Sequence, residues 1–378
     1  MKKYKKFKKL IKNLREISFD LVIFCLDKMI SNSNHFVLGA DGGKRYADNT
    51  RYFFEWLLLE QNEIAYWITI DKSIKKYSDK LSNKKLNEHI IYRWSLKGIW
   101  LIARSKYVIC SHSTNGSDVC RFINKTKKLI SLYHATPFKK MPFTPKCKIR
   151  KFIGAKYQPD LFIIQSPCEV KIYSEAYELK KDIFALMGYP RVVALALNYN
   201  PEPYILWCPT FRDNMDQEYF EENVYPKKEE WKAINEYLLK TNQRLIIKEH
   251  PYSTSSPAEL IDGLDMIEIG SKSKDINFYL SKASLLITDY SSVFFDFLSI
   301  GGKVNLFAPD LNWYKDTSNR GLMPGYIDII RKNQMESLIK AISKSSPNLK
   351  NDIINLLGPF KRVNKNTNFK IYERIKSI

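Results

Sequence analysis

No stretch of this 378-residue sequence is long and apolar enough to cross a bilayer. The best candidate, residues 17 to 26 (ISFDLVIFCL), is short and interrupted by Asp20, whereas a hydrocarbon core of about 30 Å demands about twenty apolar residues. No small-residue cleavage site follows it, so no signal peptide is expected and the chain is expected to stay in the cytosol. Cysteine pairs are also missing. Cys25, Cys110, Cys120, Cys147, Cys168 and Cys208 are scattered, with no CxxC and no histidine at metal-ligand spacing, which predicts reduced, structural thiols. There is no Walker loop, no GxSxG, no internal repeat and no low-complexity tract. GADGG (39 to 43) lacks GxGxxG spacing and runs into Lys44 and Arg45, so it is a weak dinucleotide signal. With no metal-ligand cluster, no metal or other cofactor is called for, and phosphate charge falls to helix termini, Lys, Arg and His.

What is present is core material and positive charge. A 44% hydrophobic and 13% aromatic composition excludes a disordered chain, and the length exceeds what one core usually supports, so two domains are expected. Sixty-one basic against forty acidic residues give a formal charge of +21, which favours polyanionic partners. Eight of those positive charges precede Glu16: Lys2, Lys3, Lys5, Lys6, Lys8, Lys9, Lys12 and Arg15. Among them Tyr4, Phe7, Ile11, Leu14, Ile17, Leu21 and Phe24 recur at helical spacing. That pattern predicts an amphipathic basic helix over residues 1–30 lying on an anionic membrane, each surface lysine adding on the order of 1 kcal/mol. The competing reading is a helix packed on its own domain.

Beyond that helix, short apolar runs alternate with helical patterns, the signature of parallel βαβ layers. Strands are predicted at Phe36 to Ala40, Ile64 to Ile70, His89 to Tyr92, Tyr107 to Cys110, Leu129 to Tyr133, Leu161 to Gln165 and Ile183 to Met187. The second half adds Tyr204 to Cys208, Leu245 to Lys248, Met266 to Ile269, Ser284 to Thr288 and Val304 to Phe307. NYNPEP, with two prolines, marks the break, giving an α/β chain with domains at 31–198 and 199–378 facing across a cleft. Open parallel sheets bind ligands at the carboxyl ends of their strands.

Polar residues cluster at those ends. ITDYSSVFFDF (287 to 297) carries an apolar strand into an acid, Asp289, and two hydroxyls, Ser291 and Ser292, where a helix begins, which suits an anion seat or, more plainly, an N-cap. Two of the five histidines follow strands beside proline: His134 in HATPFKK and His250 in KEHP, placed for proton transfer at neutral pH. Lys139, Lys140, Arg212 in CPTFRDN and Arg320 in NRGLMPGYID are candidate phosphate clamps or solvated surface charges. His112 in CSHST is read as structural.

HATPFKK, GYPR (188 to 191), CPTFRDN, KEHP, ITDYSSVFFDF and Asn319-Arg320-Gly321 occur in the order of the motifs of the CDP-glycerol glycerophosphotransferase family, and the chain resembles that family over residues 134 to 321. DNTRYFFEWLL (48 to 58) resembles its N-terminal part more loosely. The resemblance implies a GT-B-like pair of Rossmann-like domains, with the CDP-activated polyol phosphate held by the C-terminal one. It implies His134 as the base for the acceptor hydroxyl and His250 as a support for the diphosphate. Thr288, Ser291 and Ser292 fall around the phosphates, and Asp289 and Asp296 join the same substrate-binding set. The implied partners are CDP-glycerol or CDP-ribitol, a lipid-linked saccharide or polyol-phosphate acceptor, and the cytoplasmic face of the membrane; no nucleic acid is expected, and oligomeric state is open. Three departures stand out: Ala135 replaces the family's glycine, Val192-Val193 follow GYPR, and LMPGY is compressed. The rival readings are a GT-B glycosyltransferase using a nucleotide sugar and a nonenzymatic basic protein that binds RNA or membranes.

Overall fold

The computed structural model describes residues 2–74, 84–139, 152–212, 215–250, 252–272, 274–317, 321–323, 325–346 and 348–378. Apolar, largely β-branched runs form strands buried on both faces, as expected of parallel sheets covered by helices. Seven build the first sheet: β1 Ser33–Gly39, β2 Ala65–Thr69, β3 Ile90–Tyr92, β4 Ser105–Cys110, β5 Lys128–Ser131, β6 Leu161–Ile164 and β7 Phe184–Leu186. Their order is β3-β2-β1-β4-β5-β6-β7, every pairing parallel. Five build the second: β8 Tyr204–Cys208, β9 Arg244–Ile247, β10 Ile267–Ile269, β11 Leu285–Thr288 and β12 Val304–Leu306, ordered β10-β9-β8-β11-β12 and again all parallel. Each strand lies where a predicted run lies.

The N-terminal helix spans Lys2–Met29. From Ile17 onward its apolar stripe packs on its own protein, as the competing reading expects for that part. Ile17, Leu21 and Phe24 cluster with Phe122, Ile153 and Ala155, while Ile23 joins a core with Val37 and Val108. Asp20 is fully buried against Arg93 and Arg121, and Asp27 pairs with Lys127 at 3.2 Å. A charge that breaks a hydrophobic run thus serves as an anchor. No helix among the described residues is long and apolar enough to cross a membrane.

The sheets do not divide the chain as cleanly as a boundary at 198/199 implies. The last helix, Thr367–Lys376, returns to the first sheet, where Ile371 and Ile375 are buried with Phe36, Trp56 and Tyr107. Conversely, Phe138 leaves the first sheet and packs among Phe294, Phe295 and Tyr326 of the second half. The helix Pro190–Asn198 lies between the cores, with Val192 in the first and Leu195 in the second.

Candidate active site

Parallel strands deliver their following loops to one edge of a sheet, and here the two edges meet. From the first sheet come Asp41 after β1, Ser111 and His112 after β4, and Tyr133 and His134 after β5; from the second come Thr210 and Arg212 after β8, Lys248 to His250 after β9, and Asp289 to Ser292 after β11. Across the junction Tyr252 Oη donates to Asp41 Oδ2 at 3.1 Å and Tyr52 Oη to Asp275 Oδ1 at 2.8 Å.

His134 sits half-buried on a turn clamped by Asn49, whose amide donates to the carbonyls of Leu132 (3.2 Å) and Tyr133 (2.7 Å). Its Nδ1 lies 3.3 Å from the Ser111 carbonyl, so a proton there leaves the Nε2 lone pair available. Burial, reinforced by His112 and Arg191 and opposed by Asp48, pulls the imidazole down to about 3, which keeps it neutral at physiological pH. The ring of His112 lies flat on it, centroids 4.4 Å apart and planes 6° apart. His250 is exposed, its Nδ1 accepting from the Tyr252 N–H at 3.2 Å and its ring facing Phe211. The two histidines of the sequence motifs are joined by one chain of contacts: His250 to Tyr252, Tyr252 to Asp41, the Asp41 N–H to His112 Nδ1 at 3.2 Å, and His112 to His134.

Arg191, the last residue of GYPR, is the joint between the halves. Gly188 enters this turn at φ +87°, a conformation that favours glycine. Arg191 Nε reaches Asp296 Oδ2 at 2.7 Å, Nη2 reaches Asp296 Oδ1 at 3.1 Å, and Nη1 reaches both Asp48 (3.3 Å) and the His134 carbonyl. Burial opposes ionisation of Asp48, yet His112, Arg191, Arg45 and His134 together hold its carboxyl below the ordinary range. Below the turn, Glu169 accepts from Tyr189 (2.8 Å) and Thr136 (3.1 Å), and burial raises its carboxyl to about 8.

Several expected ligand contacts are internal instead. Arg212 is fully buried, bidentate to Asp310 (2.9 and 2.7 Å) and paired with Asp289 at 2.6 Å, so its fork is spent. Asp289 also accepts from the Thr210 N–H, Thr288 Oγ1 donates to the Cys208 carbonyl at 2.7 Å, and Asp296 belongs to Arg191. Through these bonds the four side chains hold the loops. Lys139 forms a bridge with Leu322, and its ammonium lies 5.3 Å from the centre of the Tyr314 ring. Lys140 and Arg320 lie outside the described residues. Ser291 and Ser292 remain half-buried before the helix Val293–Ser299; Ser291 Oγ accepts weakly from the Val293 N–H, and Ser292 makes no side-chain cap.

Two further cations bear on the junction. Lys248 is buried, its Nζ donating to the Glu249 carbonyl at 3.0 Å, and burial, with Arg45 adding to it, holds the ammonium below its ordinary range. Arg45, half-buried, acts on Asp48 in one half and on Lys248 and Tyr252 in the other. Its position after GADGG was the available signal. Among the described residues no group of three or more His, Cys, Asp or Glu is arranged to hold a metal ion.

A family model described as CDP-Glycerol:Poly(glycerophosphate) glycerophosphotransferase matches residues 21–352. A teichoic acid poly(glycerol phosphate) polymerase of Bacillus spizizenii is 28% identical over 79% of each chain. One of Bacillus subtilis is 26% identical over 95% of this chain, which spans only 50% of that relative. The structure of the wall teichoic acid polymerase TagF covers 99% of this chain and 98% of its own at a TM-score of 0.69 and 18% identity, which establishes a shared GT-B-like fold.

Proposed function

Because this chain belongs to the CDP-glycerol:poly(glycerophosphate) glycerophosphotransferase family, we propose that it transfers glycerol phosphate from CDP-glycerol to a hydroxyl of a teichoic acid chain or its lipid-linked saccharide primer, releasing CMP. The observation that carries the reading is the meeting of His134 and His250 at one junction, with His134 held neutral. The acceptor O–H gives its proton to His134 Nε2 as its oxygen bonds to the donor's β-phosphorus. The bond from that phosphorus to the bridging oxygen breaks, and CMP leaves in line. A base near 3 is always deprotonated but weak. The negative diphosphate seated beside it raises its proton affinity, so the base strengthens as the donor binds. His250, Ser291, Ser292, Lys248 and Arg45 supply donors and charge for the phosphates.

The membrane is where such an acceptor resides. The lysine-rich stretch Lys2 to Arg15 supports contact with an anionic surface, and the helix Leu96–Arg104, packed against the N-terminal helix, adds Leu96 (87% exposed) and Trp100 (49% exposed). Binding to vesicles with anionic lipid and not to neutral ones is the expected result.

A donor screen tests the function: CDP-glycerol, CDP-ribitol and UDP- and GDP-sugars, each with a lipid-linked saccharide acceptor. CMP release from CDP-glycerol above the others is expected. Acceptor-dependent UDP or GDP release, with CDP-polyols inert, overturns the proposal in favour of a glycosyltransferase.

A further inference from the structure

We propose that His112, held between Asp41 and Asp48 and stacked flat on His134, is the positioning residue of the base. The proposal rests on His134 being that base. His112 follows β4 as His134 follows β5, and the parallel pairing of these strands brings the two side by side. Three bonds fix the ring. The His112 backbone N–H donates to Asp118 Oδ2 at 2.7 Å, the same oxygen that receives the N–H groups of Ser111 and Ser113. Nδ1 accepts from the Asp41 N–H, which leaves the ring proton on Nε2, 3.3 Å from Asp48 Oδ2. A ring pinned at both nitrogens presents a fixed face, and His134 lies against it within 6° of parallel.

The backbone points to the same place. Six described non-glycine residues have left-handed φ. Glu178 and Asn242 are helix C-caps, and Asn62 lies just past the helix Asp48–Leu59, where such a conformation is ordinary. The other three, Asp41 (φ 48°), Asp48 (φ 65°) and Tyr133 (φ 46°), all surround the two imidazoles. Strain of this kind persists where the surroundings over-determine the geometry, and it clusters at functional sites.

The chemistry needs this arrangement. His134 receives a proton in a setting where Arg191 is the facing cation and Asp48 the facing carboxylate, with Asp118 and Arg45 bearing on the same cluster and Asp296 neutralising Arg191 from the second half. His112 acts through His134 and not on the substrate. It holds the accepting nitrogen toward the acceptor hydroxyl, keeps water from the ring and orients Asp48.

The test compares wild type with His112→Ala, His112→Phe and His134→Ala, measuring CMP release from CDP-glycerol across pH, donor affinity by calorimetry, and folding by circular dichroism. His112→Ala is expected to lower kcat on the order of 10²-fold with donor affinity within about twofold, the scale of a misplaced catalytic group. It should also move the acid limb of kcat/KM toward neutrality by at least about one pH unit, because hydration of His134 lifts its proton affinity. His112→Phe keeps a flat apolar face, so it should hold the limb in place and recover part of kcat. An unmoved limb in folded His112→Ala, with kcat near wild type or no better in His112→Phe, overturns the positioning role. Wild-type turnover in His134→Ala instead removes the base on which it rests.

Discussion

Arg191→Met offers the sharpest test of how the two halves are joined. Asp296 is 2% exposed, and both of its oxygens are held by this one guanidinium, at 2.7 and 3.1 Å. Methionine fills much of the same volume but leaves that carboxylate unpaired, and removing one partner of a buried pair costs about 3–5 kcal/mol. Burial already raises Asp296 with the cation present. Without it the carboxyl is raised further, which relieves part of the stranded charge and puts the expected loss at the low end, about 3 kcal/mol. Asp296→Asn in the same chain removes the stranded charge. The double variant should therefore be more stable than Arg191→Met alone, with a coupling of about 2–3 kcal/mol between the two sites. Equilibrium urea unfolding of the four proteins measures it. Costs that add to within about 0.5 kcal/mol would show that the pair does not hold the joint.

Other outcomes follow from the same geometry. Arg212→Leu strands Asp289 and Asp310 and is expected to cost about 3–5 kcal/mol in urea unfolding, against near-neutrality if the arginine were a surface clamp. Arg45→Ala is expected to weaken CDP-glycerol binding about tenfold with an unchanged melting temperature, since this side chain makes no ion pair among the described residues; unchanged affinity would remove it from the site. The pH dependence of stability carries two opposed signatures. Glu169, raised to about 8, favours the fold at low pH and loses that contribution as pH rises from about 4.5 to 8. His134, lowered to about 3, contributes fully above about 6.5 and loses its contribution as pH falls toward 3. Glu169→Gln should therefore abolish a decline of up to about 1.4 kcal/mol per pH unit between pH 6.5 and 8, and a wild-type decline persisting in the variant would contradict the assignment.

The strands were legible in the sequence because parallel strands covered by helices are continuous apolar runs, and their carboxyl ends told where polar residues matter. His134, His250 and the serine pair came from that rule. The pairing of Arg212 is not legible, because its partners Asp289 and Asp310 lie far along the chain, and a motif shows spacing but not pairing. His112 was set aside for the same reason: alone on a strand end it is ordinary, and only the register of β4 on β5 lays it against His134. The last helix carries no local sign that it returns to β1 and β4. Its Ile371 and Ile375 form a small apolar stripe that fits either core, and tertiary packing decides.

The most direct measurement of the central claim is transfer of radiolabelled glycerol phosphate from saturating CDP-glycerol to a lipid-linked acceptor by His134→Ala, alongside calorimetric binding of the same donor. The expected result is donor binding within a few-fold of wild type and transfer lowered by roughly 10²–10⁴-fold, the range for losing a general base. Transfer near the wild-type rate in a folded, donor-binding His134→Ala protein would contradict it.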